Sequence, residues 1–165
     1  MERLKKAAVL LLLLGLACQE APKGLEQTVS EEGEKEKYIR EIKEKLTAEG
    51  YQTFDYVDAE TNDTILMQQY FIAFLKTGPN RDQPKETLDS LQNAHLAHLK
   101  KMYVDGYASI SGPFGDDGDI RGITIYNVPN LKMADSLANL DPMVKAGRLE
   151  IEVHPWWAAK GFPLR

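Results

Sequence analysis

Three histidines, one cysteine and a handful of carboxylates are the residues in this 165-residue chain whose types and spacing invite a chemical reading. His95 and His98 lie in the segment Pro84 to Asp105. On a helical wheel His95 falls within about 80° of Leu88, Leu91, Leu99 and Met102, so it points at a core rather than at water. An imidazole so placed must be neutral or paired, and its ordinary pKa of ~6.5 lets modest surroundings set its state. Proton transfer is the chemistry this suits; a core histidine bonded to a backbone carbonyl is the plainer alternative. His98 falls at the flank of the same face. The pair i, i+3 on one helix is a poor metal frame, which normally uses i, i+4, and His154 lies far along the chain beside Pro155. Asp116, Asp117 and Asp119 around Gly118 lack the spacing and distal glutamate of a calcium loop and read as a turn. Neither a metal nor a cofactor is expected. Asp141 before Pro142 reads first as an N-cap, its side chain accepting backbone N–H groups with proline at N1. No nucleophile elbow, phosphate-cradling loop or dinucleotide fingerprint is present.

The elements that must position these residues follow from periodicity and punctuation. Residues 30 to 50 read as a charged helix, with Ser30 as N-cap and Tyr38, Ile39, Ile42 and Leu46 as a narrow apolar stripe. Gln19 to Val29 reads as a spacer. Tyr51 to Val57 and Ile65 to Leu75 read as two arms of a hairpin, the second being the first strand of the main domain. Then come a helix from Pro84 ended by Gly106, strands at 107–111 and 120–128, a helix capped by Asn130, a turn opened by Asp141-Pro142 and closed by Gly147, and a strand at 149–153. The order β-α-β-β-α-β predicts an α+β fold of the ferredoxin-like kind, two helices on one face of a four-stranded antiparallel sheet. Apolar residues of both parities, Phe71 and Ala73 beside Ile72 and Phe74, predict that the second face needs a partner, hence a homodimer.

Composition bounds the partners. There are 20 basic and 25 acidic residues, a formal net charge of −5, which argues against a nucleic-acid partner. A charged start, Met1 to Lys6, and an apolar run, Ala7 to Ala17, are too short to span a bilayer and fit a signal peptide. Its end, Leu14-Gly15-Leu16-Ala17-Cys18, resembles a bacterial lipobox, which implies lipidation at Cys18 and a lipid anchor in the bacterial cell envelope. Cleavage at Ala17 as an ordinary signal peptide is the alternative. The expected organisation is 1–17 signal peptide, 18–63 acidic tether with a helix and the start of the hairpin, and 64–165 the main domain. The charges agree with it: residues 19–63 hold 13 acidic and 6 basic residues, residues 64–165 eleven of each.

Four motifs in order give the main domain a resemblance. Asn93-Ala94-His95-Leu96-Ala97-His98-Leu99, Ser111-Gly112-Pro113, Leu140-Asp141-Pro142-Met143-Val144-Lys145-Ala146-Gly147 and Val153-His154-Pro155-Trp156 together resemble the YCII-related (YciI-like) family over roughly residues 70 to 157. The resemblance implies a dimeric α+β barrel and a catalytic His95–Asp141 pair in a cavity between helix and sheet, with Ser111 and His98 as candidate pocket residues. A carboxylate on one imidazole nitrogen would fix the tautomer and raise the basicity of the other. That suits a lyase or isomerase acting on a small molecule. A non-catalytic dimeric ligand-binding or structural lipoprotein of the envelope is the alternative, in which the same residues are a core hydrogen bond and a helix cap.

Overall fold

The computed structural model describes residues 23 to 164, with side chains from residue 33 onward. The chain divides into two units, Met1–Lys35 and Glu36–Arg165. The expected signal peptide and Cys18 lie outside the described residues. Helix α1 spans Lys23–Ala48. It therefore begins seven residues before the N-cap expected at Ser30, and the presumed spacer is helical from Lys23. No proline occurs between Pro22 and Ala48, and Leu25, Glu26 and Gln27 favour a helix. The expected start overweighted a capping residue that helix formers on both sides override. No helix among the described residues is long and apolar enough to cross a membrane.

The second unit holds a five-stranded antiparallel sheet, with the helices after residue 84 packed on one face of it. Its elements are β1 (Thr53–Val57), β2 (Thr64–Thr77), α2 (Lys85–Val104), β3 (Ala108–Pro113), β4 (Ile120–Tyr126), α3 (Leu131–Ala138), α4 (Pro142–Lys145) and β5 (Leu149–Ala159). Strand β2 is central. β5 runs along one edge of it from Met67 to Thr77, and the other edge is shared, by β1 over Thr64 to Gln68 and by β4 over Phe71 to Lys76. β3 closes the far side against β4. The spatial order β5-β2-β4-β3 is that of the ferredoxin-like α+β fold. β1 is the hairpin arm added to it, so the compact unit starts upstream of Thr64, where charge and pattern placed the boundary.

Side-chain parity sets the two faces. Phe71, Ala73 and Leu75 of β2 are buried and alternate with half-buried Tyr70, Ile72 and Phe74. Phe71 and Ala73 meet Tyr126, Val128, Met102, Ala134 and Ala138 in the main core. Leu75, Met143 and Leu149 form a smaller cluster toward the other end of the layer.

β5 is longer than the alternation predicts, continuing past Val153 through Pro155, Trp156 and Trp157. Proline reads as a strand breaker, but β5 pairs only with β2 and is an edge strand, where a missing N–H leaves no neighbour unsatisfied.

Two helix ends bear on the site. Gly106, at φ 79°, ends α2 and Gly147, at φ 68°, ends α4. In each the following residue bonds back five positions, Tyr107 N–H to the Met102 carbonyl and Arg148 N–H to the Met143 carbonyl. The left-handed residue required there favours glycine.

Candidate active site

His95 is one of two buried residues of α2, the other being Met102 two turns on. Its position follows from the wheel: the stripe that carries Leu88, Leu91, Leu99 and Met102 faces the sheet, and His95 sits in the middle of it. Asp141 is 2% exposed and opens α4, with Pro142 at N1 pre-set for the helix. One carboxylate oxygen, Oδ1, accepts from Met143 N–H at 2.9 Å. That bond fixes the carboxylate plane and leaves Oδ2 free to face α2, where it lies 2.6 Å from His95 Nδ1. Cap and imidazole partner are thus the same carboxylate, one oxygen for each.

The consequence for the imidazole is a defined tautomer. A proton on Nδ1 donated to Asp141 leaves the Nε2 lone pair as the basic position, and a cation formed there is met by the carboxylate behind it. Among the described residues the imidazole has no other hydrogen bond. His95 lines a cavity of about 380 Å³ between α2, the ends of β3 and β4, and the turn after α4. That volume holds a small organic molecule. Leu75, Leu96, Leu99, Met143 and Leu149 give it apolar walls, and Gln92, Ser111, Arg81, Arg121 and Arg148 supply its polar lining.

Ser111 lines the cavity, its hydroxyl paired with that of Thr124 at 2.9 Å. His98 does not line it. One of its ring nitrogens, Nε2, is buried without a hydrogen-bond partner among the described residues. Burial pushes its pKa below the ordinary histidine value, an effect the nearby Asp141 charge opposes and His95 reinforces. Tyr126, in the core beside this site, has its phenol pushed well above its ordinary range by burial and, secondarily, by Asp141. Asp116 accepts from the Gly118 N–H within its own turn. Among the described residues no group of three or more His, Cys, Asp or Glu side chains is placed to hold a metal.

The cavity wall depends on a tight backbone crossing. Gly78 N–H donates to the Arg148 carbonyl and Asn80 N–H to the Gly147 carbonyl, at 3.0 Å each. A Cβ on Gly78 would sit 2.3 Å from the Gly147 oxygen, so only glycine permits this approach. The crossing places Arg81 next to Arg148. Arg81, Arg121 and Arg148 come from a loop, a strand start and a helix-ending turn, and no sequence signal groups them.

The family model of the YCII-related domain matches residues 70–157. The chain belongs to the YCII-related family. The matched span of this YCII-related protein includes His95, Ser111, Arg121, Asp141 and Arg148, and leaves out α1, β1 and the end of β5. Comparison with curated proteins gives no match. Among solved structures the chain is similar to 5-chloro-2-hydroxyhydroquinone dehydrochlorinase (TftG) from Burkholderia phenoliruptrix AC1100, determined in complex with 2,5-dihydroxybenzoquinone. The two share 24% identity with a TM-score of 0.40, over 53% of this chain and 92% of that one.

Proposed function

We propose that this YCII-related protein is a small-molecule acid–base enzyme of lyase or isomerase type. His95 is the general base and Asp141 its positioning residue. The observation that supports this most is the buried carboxylate held 2.6 Å from Nδ1 while the same ring borders a cavity. A substrate carbon acid with its C–H directed at Nε2 would lose that proton to the imidazole. The C–H electron pair moves into the substrate, forming an enolate or expelling a leaving group, and Asp141 stabilises the imidazolium. Return of the proton at a second carbon completes an isomerisation; loss of a leaving group completes an elimination. In the same proposal the mature chain is tethered to the bacterial envelope through lipidated Cys18 and pairs with a second copy across the open sheet face, where Tyr70, Ile72, Phe74, Ile123 and Ile125 are half-buried.

The test is turnover of a panel of small carbon acids by the wild type, His95→Gln and Asp141→Asn, with folding checked by circular dichroism. For any substrate that is turned over, His95→Gln is expected to lower kcat by about 10²- to 10⁴-fold. Asp141→Asn should lower it less and shift the pH profile. Full turnover in a folded His95→Gln variant would overturn His95 as the base, and binding without turnover across the panel by the wild type would favour a ligand-binding role.

A further inference from the structure

The cavity beside His95 is lined by three arginines, Arg81, Arg121 and Arg148, and by neither aspartate nor glutamate. In a chain with more acidic than basic residues this is a local inversion of charge. None of the three is in an ion pair with a described residue. Each guanidinium is instead held at one nitrogen, Nη1, by a neutral acceptor: Arg81 by the Arg148 carbonyl at 3.1 Å, Arg121 by the Gly118 carbonyl at 3.0 Å, Arg148 by Gln83 Oε1 at 3.0 Å. These bonds fix the side chains while leaving the rest of each donor fork without a described partner. Arg81 and Arg148 also lie side by side, since Arg148 Nη1 reaches back toward the Arg81 carbonyl. Two like charges held together around an unneutralised cavity favour an anion between them.

The geometry points to a small organic acid as the ligand of this cavity, its carboxylate taken by Arg121 and Arg148 with Arg81 at the mouth, and its apolar body against Leu96, Leu99 and Met143. This deepens the acid–base proposal and rests on it for the reaction, though not for binding. The guanidinium fork matches a carboxylate in two parallel hydrogen bonds, which orients the ligand as well as attracting it. Apolar walls distinguish the expected ligand from inorganic phosphate, which would leave them unused.

Benzoate, its neutral isostere benzamide and inorganic phosphate are titrated calorimetrically into the full chain, and nitrogen–proton spectra map the residues perturbed. Benzoate is expected to bind at least about tenfold more tightly than benzamide and to perturb Leu99, Ser111 and Arg121. Phosphate should bind more weakly than benzoate. Arg121→Gln and Arg148→Gln should each remove most of the benzoate preference and leave benzamide unchanged, with Arg121→Lys retaining part of it. Arg148→Gln also breaks the bond to Gln83, so the benzoate–benzamide contrast in the wild type carries the test without any variant. Equal binding of the two, stronger binding of phosphate, or perturbations away from the cavity would overturn the inference. His95→Gln separates the two proposals: benzoate binding survives it if this inference holds, whatever happens to turnover.

Discussion

The layer between helices and sheet is built in two ways. At one end Phe71, Ala73, Met102, Tyr126, Val128, Ala134 and Ala138 close it with apolar groups. At the other, Leu75, Met143 and Leu149 stop short of filling it, and His95, Ser111 and three arginines line what is left. One helix serves both ends: Met102 is sealed in the first, Leu99 borders the second. The two histidines of α2 divide in the same way. His95 meets a carboxylate at the open end, whereas His98 has a buried nitrogen without a partner among the described residues. The sealed end holds the sheet and helices in register; the open end uses that rigidity to hold polar groups in place.

This contrast can be broken most sharply by equal truncations on one helix. Met102→Ala should cost about 3 kcal/mol, since it leaves a dry cavity in packed surroundings. Leu99→Ala should cost about 1 kcal/mol, because its side chain is only half-buried and the space it vacates joins a cavity already open. Denaturant unfolding of both variants measures the difference, and equal costs would show that the two ends are packed alike.

Next in size is the coupling at the open end. Asp141→Ala should cost about 1 kcal/mol as a lost cap. If the carboxylate also holds His95, a double-mutant cycle with His95→Ala should show coupling of about 0.5 kcal/mol or more. Additive losses would reduce Asp141 to its capping role.

The smallest effect is a pH dependence. His98 has its pKa lowered by burial in the folded state, so below the ordinary value of ~6.5 the unfolded chain binds more protons than the folded one. The contribution of this histidine is nil above that value, and stability falls as pH drops through the window between the ordinary and the lowered pKa. Replacing it, as in His98→Gln, should flatten the unfolding curve in this window. An unchanged slope would mean that another group titrates there.

Much of this was legible in the sequence for physical reasons that can be named. The order of strands and helices after residue 64 follows from period and punctuation, because Gly106, Gly147, Asn130 and Asp141 each mark an end that the structure uses. The placement of His95 on the sheet-facing stripe follows from the wheel. What escaped were features that depend on context. Pro155 reads as a strand end by its own chemistry, yet it lies within β5 because that strand is an edge. The early start of α1 reflects helix formers that outweigh one capping serine. The arginines were invisible as a group, since residues 81 and 148 meet only where the backbones cross at Gly78 and Gly147, and residue 121 reaches the same cavity from another strand. A lone arginine in a loop reads as solvated charge, and nothing local says otherwise.

The central claim is that Asp141 sets the state of His95 so that Nε2 is the base. Nitrogen-15 spectra of the imidazoles at neutral pH test it most directly. The account predicts that His95 carries its proton on Nδ1, with an unprotonated Nε2, and that Asp141→Asn shifts the balance between the tautomers. A His95 protonated on Nε2 in the wild type, unchanged by Asp141→Asn, would contradict it.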